Sequence, residues 1–232
     1  METMKPLTIH LGVKSDPVEY RYSYEWLFRL MADEGVHHLQ LGSFFELYHL
    51  DDDYFRALRQ SASEYSVTIS SVFTSHRELG GFFRDDPHWE KVARRNYERL
   101  IEVAALFGAK HAGSSMGAVL RDQMQLKEHG VARFLAHVKD LMLYAQGCGL
   151  EYLTIEPMSC LAEPPTLPGE IVQVAEELMA HHRATPGTTP VGYCTDVSHG
   201  YADENEQVRH GNMELFEVTL PYLVEFHIKN TD

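Results

Sequence analysis

Three residues able to do polar chemistry stand at matching places in the chain. The apolar run Leu153-Thr154-Ile155 ends in Glu156-Pro157. The run from Val191 ends in Asp196-Val197-Ser198-His199. The run from Leu223 ends in His227-Ile228-Lys229. Glu156, Asp196 and His227 are separated by 40 and 31 residues, too far apart to share one helix. An acid alone at a strand end commonly caps the next helix, and a lone histidine commonly sits satisfied in the core or on the surface. Three such residues in consecutive units, with Asp-x-x-His at Asp196 and His199, point instead to one metal centre. Oxygen donors with one imidazole suit a divalent Mn²⁺, Mg²⁺ or Co²⁺ ion, and Zn²⁺ less well.

The chemistry open to such a centre follows from the donors. A divalent ion can chelate the carbonyl and the adjacent hydroxyl of a ketose and polarise the carbonyl. The proton on the hydroxyl-bearing carbon becomes more acidic, and the ion stabilises the enediolate left behind. A carboxylate at a strand end can take that proton as general base. Return from the opposite face epimerises the carbon. Return to its neighbour interconverts aldose and ketose. Glu156 is the candidate for one acid/base group as well as for a ligand.

The elements that must position these residues read as a regular alternation. Short apolar runs predict strands over Leu7–Gly12, His38–Leu41, Val67–Phe73, Lys110–Ser114, Tyr152–Glu156, Val191–Asp196 and Leu223–Ile228. Stretches of helical spacing lie between them, such as Trp26, Leu27, Leu30 and Met31. Regular strand–helix alternation implies a parallel α/β sheet covered by helices. An open doubly wound sheet and a (β/α)8 TIM barrel both fit that pattern. The first strand–helix turn, Gly12 to Tyr22, has no G-x-G-x-x-G, and no later turn has a phosphate loop, which favours the barrel. No composition shift marks a linker, so residues 1–232 read as one domain. A barrel needs an eighth strand and typically ~250 residues. That strand is expected beyond Asp232, unless the barrel is unusual.

Composition narrows the function. With 20 basic and 34 acidic residues the net charge is −14, so neither nucleic acid nor an anionic membrane is an expected partner. No stretch approaches the ~18 apolar residues of a membrane span, and Met1 to Pro6 lacks the order of a secretory signal. Three irregularly spaced cysteines, Cys148, Cys160 and Cys194, suggest no disulfide framework and a reducing, cytoplasmic setting. Fourteen histidines add weight to the metal hypothesis.

Weaker candidates flank the three main ones. His76 follows the third strand, before Gly80-Gly81-Phe82-Phe83, a sequence that suits either a lid or an ordinary exposed loop. Glu46, with Phe44 and Phe45, follows the second strand and is a candidate substrate contact. His111-Ala112-Gly113 ends the fourth strand, where His111 suits the core or surface, or could bind the substrate or a second metal. Arg209 could hold a phosphate or lie on a solvated face.

The chain resembles the sugar phosphate isomerase/epimerase group with a xylose-isomerase-like barrel. The likeness is densest at Ile155-Glu156-Pro157, Asp196-Val197-Ser198-His199-Gly200 and His227-Ile228-Lys229. The resemblance implies that Glu156, Asp196 and His227 are metal ligands, with a further Glu on the eighth strand as fourth ligand and second acid/base. It makes His199 a substrate-contacting or supporting residue, and it matches Lys229 to the family's His-x-Lys pattern, with Asn230 where Asp is frequent. It also implies a sugar or sugar phosphate substrate and a homo-oligomer, dimer or tetramer. A rival within the same superfamily is a multi-zinc phosphodiesterase like endonuclease IV, for which His76, His111 and His199 would be extra ligands. A non-catalytic metal- or sugar-binding barrel is the third reading.

Overall fold

In the computed structural model, residues 9–16, 18, 21–42, 45–74 and 81–229 are described. Seven strands form one parallel sheet: β1 (Gly12–Lys14), β2 (His38–Gly42), β3 (Thr68–Thr74), β4 (His111–Ser114), β5 (Tyr152–Ile155), β6 (Val191–Asp196) and, last in the order, β9 (Leu223–His227). Each is hydrogen-bonded to the next in sequence order, all in parallel. A two-stranded antiparallel hairpin, β7 (Tyr201–Ala202) with β8 (Val208–His210), is inserted after β6. The sheet curls far enough for His227 on the last strand to bond Gln40 on the second at 2.7 Å. This is a partial (β/α)8 barrel. Among the described residues β1 and β9 are its two edges.

The helices start and stop where local chemistry dictates. Helix α1 (Tyr24–Asp33) is capped by the Ser23 hydroxyl, α3 (Asp52–Glu64) by the Asp51 carboxylate, and α4 (Pro87–Phe107) by Asp86 with Pro87 in the first turn. Gly108 ends α4 in the left-handed conformation that a side chain would resist. A short helix, α2 (Phe45–His49), follows β2 directly. Helices α5 (Lys127–Gly147), α6 (Pro168–Ala184) and α7 (Asn212–Thr219) complete the outer layer. No helix among the described residues is long and apolar enough to cross a membrane.

Strand side chains alternate between two environments. Leu39, Leu41, Val72, Ala112, Leu153, Ile155 and Tyr193 face the helices and are buried against Phe28, Leu100, Ile101, Phe134 and Leu178. The opposite set, Gln40, Ser71, His111, Thr154, Cys194 and Glu225, faces the barrel interior and is joined by polar contacts. The interior is therefore polar rather than filled with branched apolar side chains, a first sign that it serves a ligand.

Several sequence expectations shift. Of the strand expected at Leu7–Gly12, residues 7 and 8 lie outside the described residues; the described strand is Gly12–Lys14, where Gly12 pairs with His38, and Ile9 and Leu11 before it are exposed. The fourth strand begins at His111, and the last ends at His227. Leu30 lies outside the buried stripe of α1, where Phe28 takes its place. Helix α2 and the β7–β8 hairpin are too short to show a periodic pattern.

The crowded interior yields a stability prediction. A Cβ on Gly113 in β4 would lie 2.2 Å from the Thr154 hydroxyl and 2.7 Å from the Phe73 ring. Gly113→Ala should lower stability by about 1–3 kcal/mol in denaturant unfolding. Gly169→Ala, with nothing near its Cβ and a place in α6, should leave stability unchanged or slightly raised. Equal effects of the two would contradict the packing described.

Candidate metal and active site

The carboxyl ends of the strands form the mouth of the barrel. Pro157 lacks a backbone N–H and so halts β5, and the Glu156 N–H donates to the Ser114 carbonyl at 3.1 Å, holding Glu156 at the strand's end. Asp196 is the last residue of β6 and stands in register with His227, the last of β9. Both acids are buried, Glu156 at 8% exposure and Asp196 at 4%. Buried carboxylates need counter-charges or hydrogen-bond donors, and the mouth supplies both.

Asp196 is the more tightly held. Its Oδ1 accepts from the Ser198 N–H at 2.9 Å and the Ser198 hydroxyl at 2.7 Å. Its Oδ2 meets Lys229 Nζ at 2.7 Å and His199 Nε2 at 3.7 Å. Burial alone would raise its pKa, but the bonds from Lys229 and Ser198 outweigh burial and hold it at about 2. Glu156 follows the same logic. Burial opposes its charge, and the contact with His227, aided by the charges of Lys14 and His199, lowers its pKa below the ordinary glutamate value. Both acids are therefore carboxylates at neutral pH.

The imidazoles are fixed by their second nitrogens. His199 Nδ1–H donates to the Pro157 carbonyl at 2.8 Å, which leaves the Nε2 lone pair turned toward Asp196. His227 Nε2–H donates to Gln40 Oε1 at 2.7 Å, with the Cys194 thiol 3.2 Å away, and its Nδ1 faces Glu156 at 3.4 Å. Donor atoms of Glu156, Asp196 and His199 all lie within 4.8 Å of one another. Two ionised carboxylates and a lone pair oriented by a backbone carbonyl are the donors a divalent cation requires. The residues present fit such an ion.

The structure thus brings together Glu156 and Asp196, as the sequence suggests, but completes their cluster with His199. His227 stands beside Glu156, and Lys229 lies on Asp196. Arg209 is not brought to the cluster: its guanidinium grips Asp203 across the hairpin, with an Nε–Oδ2 distance of 2.7 Å. Glu46 stands in the first turn of α2, just beyond the mouth end of β2. His76 and Phe44 lie outside the described residues. His111 corrects an expectation, because it opens β4 rather than ending it, and its Nδ1 lies 3.3 Å from Glu225. Gly81–Phe83 is a buried turn whose Phe82 stacks on His137 at 4.5 Å, so these residues are core rather than exposed loop.

Two further residues belong to the mouth. Gln40, a polar residue between Leu39 and Leu41 of the second strand, orients His227; that interruption was its only sequence signal. Lys14, at the end of β1, carries its ammonium 2.9 Å from Asp16 and 4.9 Å from the centre of the Phe73 ring. Burial works against its charge, but Asp16 and Glu156 outweigh that and raise its pKa.

The depressed acids predict a stability profile. A carboxylate held below its unfolded pKa stabilises the fold above that unfolded value, and the contribution is lost as pH falls through the folded value. Stability should therefore decline from about pH 5 downward toward pH 2, the folded value of Asp196. Asp196→Asn should flatten that decline in urea unfolding at a series of pH values. An unchanged slope in the variant would contradict the assignment.

Comparisons with known proteins agree with this architecture. The family model described as a xylose isomerase-like TIM barrel matches residues 28–232. No curated protein sequence matches the chain. A putative xylose isomerase from Rhodospirillum rubrum superposes with a TM-score of 0.81 at 19% identity, covering 97% of this chain and 78% of that one. D-psicose 3-epimerase from Clostridium cellulolyticum, solved with D-tagatose, gives 0.73 at 16% identity, covering 93% and 71%. The probable 3-DHS dehydratase AsbF from Bacillus anthracis gives 0.68 at 11% identity, covering 96% and 73%. At these identities the superpositions establish a shared fold, while the family match spans most of the sequence. The chain belongs to the xylose isomerase-like TIM barrel family.

Proposed function

We propose that this protein is a divalent-metal-dependent isomerase or epimerase of a ketose or sugar phosphate, acting by proton abstraction and return beside the substrate carbonyl. The observation that carries the reading is the convergence of two ionised, buried acids and an oriented imidazole at the barrel mouth. Neighbours named as a xylose isomerase and a psicose epimerase support it at the level of the family's chemistry.

Glu156 and Asp196 would hold the ion, with an imidazole from His199 or His227; Mn²⁺, Mg²⁺ and Co²⁺ suit these donors best. When bound, the ion supplies Lewis-acid polarisation of the substrate carbonyl. Glu156 takes the proton. It is ionised at neutral pH, and His227 at 3.4 Å fixes its direction. Glu156 alone can serve an aldose–ketose shift, in which one group moves the proton between adjacent carbons. Epimerisation calls for a second group on the other side of the carbon. Ser198 holds Asp196 in place, and Lys229, bound to Asp196 at 2.7 Å, can offer a further N–H to a substrate oxygen. Glu46 remains a candidate substrate contact at the rim.

The multi-zinc phosphodiesterase reading loses His111 as a mouth ligand, since that residue pairs with Glu225 inside the barrel. The net charge of −14 also disfavours a DNA substrate. This proposal includes a cytoplasmic, homo-oligomeric protein forming one barrel unit; the three free cysteines suit that compartment.

Deuterium incorporation from D₂O tests the reading across a panel of ketoses and ketose phosphates with added Mn²⁺. The wild type should exchange at least one sugar, and Glu156→Gln should slow exchange by about 10²-fold or more. Exchange unchanged in that variant removes Glu156 as the base. Metal analysis should give one ion per chain; two or three would favour the phosphodiesterase.

A further inference from the structure

On the β1 side of the mouth lies a polar pair that the proton-transfer chemistry does not use. Lys14 is the last residue of β1, and its side chain is held from two directions. Asp16 binds its ammonium at 2.9 Å, and the Phe73 ring lies beneath it at 4.9 Å. An ammonium has three N–H donors, and Asp16 accounts for one. The ammonium lies within electrostatic reach of Glu156 and of the Cys194 thiol, so it points into the mouth rather than away from it.

Asp16 is unusual in its own right. Its Oδ2 holds Lys14, but its Oδ1 is buried with no hydrogen-bond partner among the described residues. It lies directly on Gly42, the last residue of β2, where a Cβ would fall 1.1 Å from Oδ1. Glycine at 42 is what lets Asp16 sit there. Ser15 fastens the same corner through its hydroxyl, which accepts from the Gly42 N–H at 2.9 Å. A buried carboxylate oxygen without a donor costs about 1–3 kcal/mol, and a fold that keeps one beside an ammonium with spare donors has built a place for a hydroxyl group.

We propose that Lys14 and Asp16 form a hydroxyl-binding subsite that grips the non-reacting end of a polyol substrate. Lys14 donates to one substrate oxygen, and Asp16 Oδ1 accepts from the neighbouring hydroxyl. A donor beside an acceptor matches the vicinal diol of a sugar chain. The reacting carbons would lie at Glu156, whose charge Lys14 senses, and the remaining hydroxyls at the end of β1. The subsite deepens the isomerase reading and rests on it for the identity of the substrate, but its binding can be measured without any turnover.

The test uses xylitol, a polyol with no carbonyl and so nothing to isomerise, titrated into the full chain by calorimetry. Lys14→Met and Asp16→Ala should each weaken xylitol binding by about tenfold or more, as expected for a lost bond to a charged group. Gly42→Ala, which removes neither side chain but displaces Asp16, should weaken it as well. Mn²⁺ affinity, read by electron paramagnetic resonance, should not fall in Lys14→Met, because the substitution takes a positive charge away from the neighbourhood of Glu156. Xylitol binding equal in wild type and all variants, or absent from the wild type, would overturn the subsite. So would a matching collapse of Mn²⁺ affinity, which would signal general damage to the mouth. A protein that binds xylitol through Lys14 yet exchanges no deuterium into any ketose would sink the isomerase reading and leave the subsite standing.

Discussion

Two carboxylates taken out of water at the mouth of the barrel set the terms for everything around them. Glu156 and Asp196 are both nearly fully buried, and both stay ionised. Isolated charges in such surroundings would simply take up protons. They do not, because Lys229, His199, His227, Lys14 and the Ser198 N–H and hydroxyl surround them. Removing one partner of such a group costs far more than an exposed ion pair would suggest. Charge assembled at this expense in a polar cavity marks function rather than stability.

The fold delivers this arrangement through strand alternation. One face of each strand packs on the helices through residues such as Leu39, Leu153 and Tyr193. The other lines an interior that holds Gln40, Cys194 and Glu225 below the mouth. A strand that ends one residue later would aim its terminal side chain at the opposite face. Pro157 fixes that end for Glu156, and the register between β6 and β9 fixes it for Asp196 and His227. The imidazoles are held by the same framework: Gln40 orients His227 from across the barrel, and the Pro157 carbonyl orients His199 from the loop after β5.

Much of this was legible in the sequence because it is local. Apolar runs that end in an acid before proline, or in Asp-x-x-His, announce both the strand and the residue at its tip. β6 falls at Val191–Asp196 as read, and the parallel order follows from the alternation. What escaped depends on distant partners. His199 joins the two acids, rather than only supporting them, because of where the Pro157 carbonyl lies. Lys14 and Asp16 gain meaning only once β1 stands beside β2 with Gly42 under the carboxylate. His111 looked like a strand end because His111-Ala112-Gly113 reads as the tip of the fourth strand, whereas its pairing with Ser71 and Tyr152 makes it the first residue of β4. Arg209 looked free because the short hairpin that brings Asp203 to it has no periodic signature.

The central claim is that side chains far apart in sequence share one cation, and diffraction can test it without reference to any substrate. Crystals soaked in Mn²⁺ and measured at the manganese absorption edge should show one anomalous peak per chain, within bonding distance of Glu156 and Asp196 and of an imidazole from His199 or His227. A density map with no peak there, or with the ion held by other residues, would contradict the account.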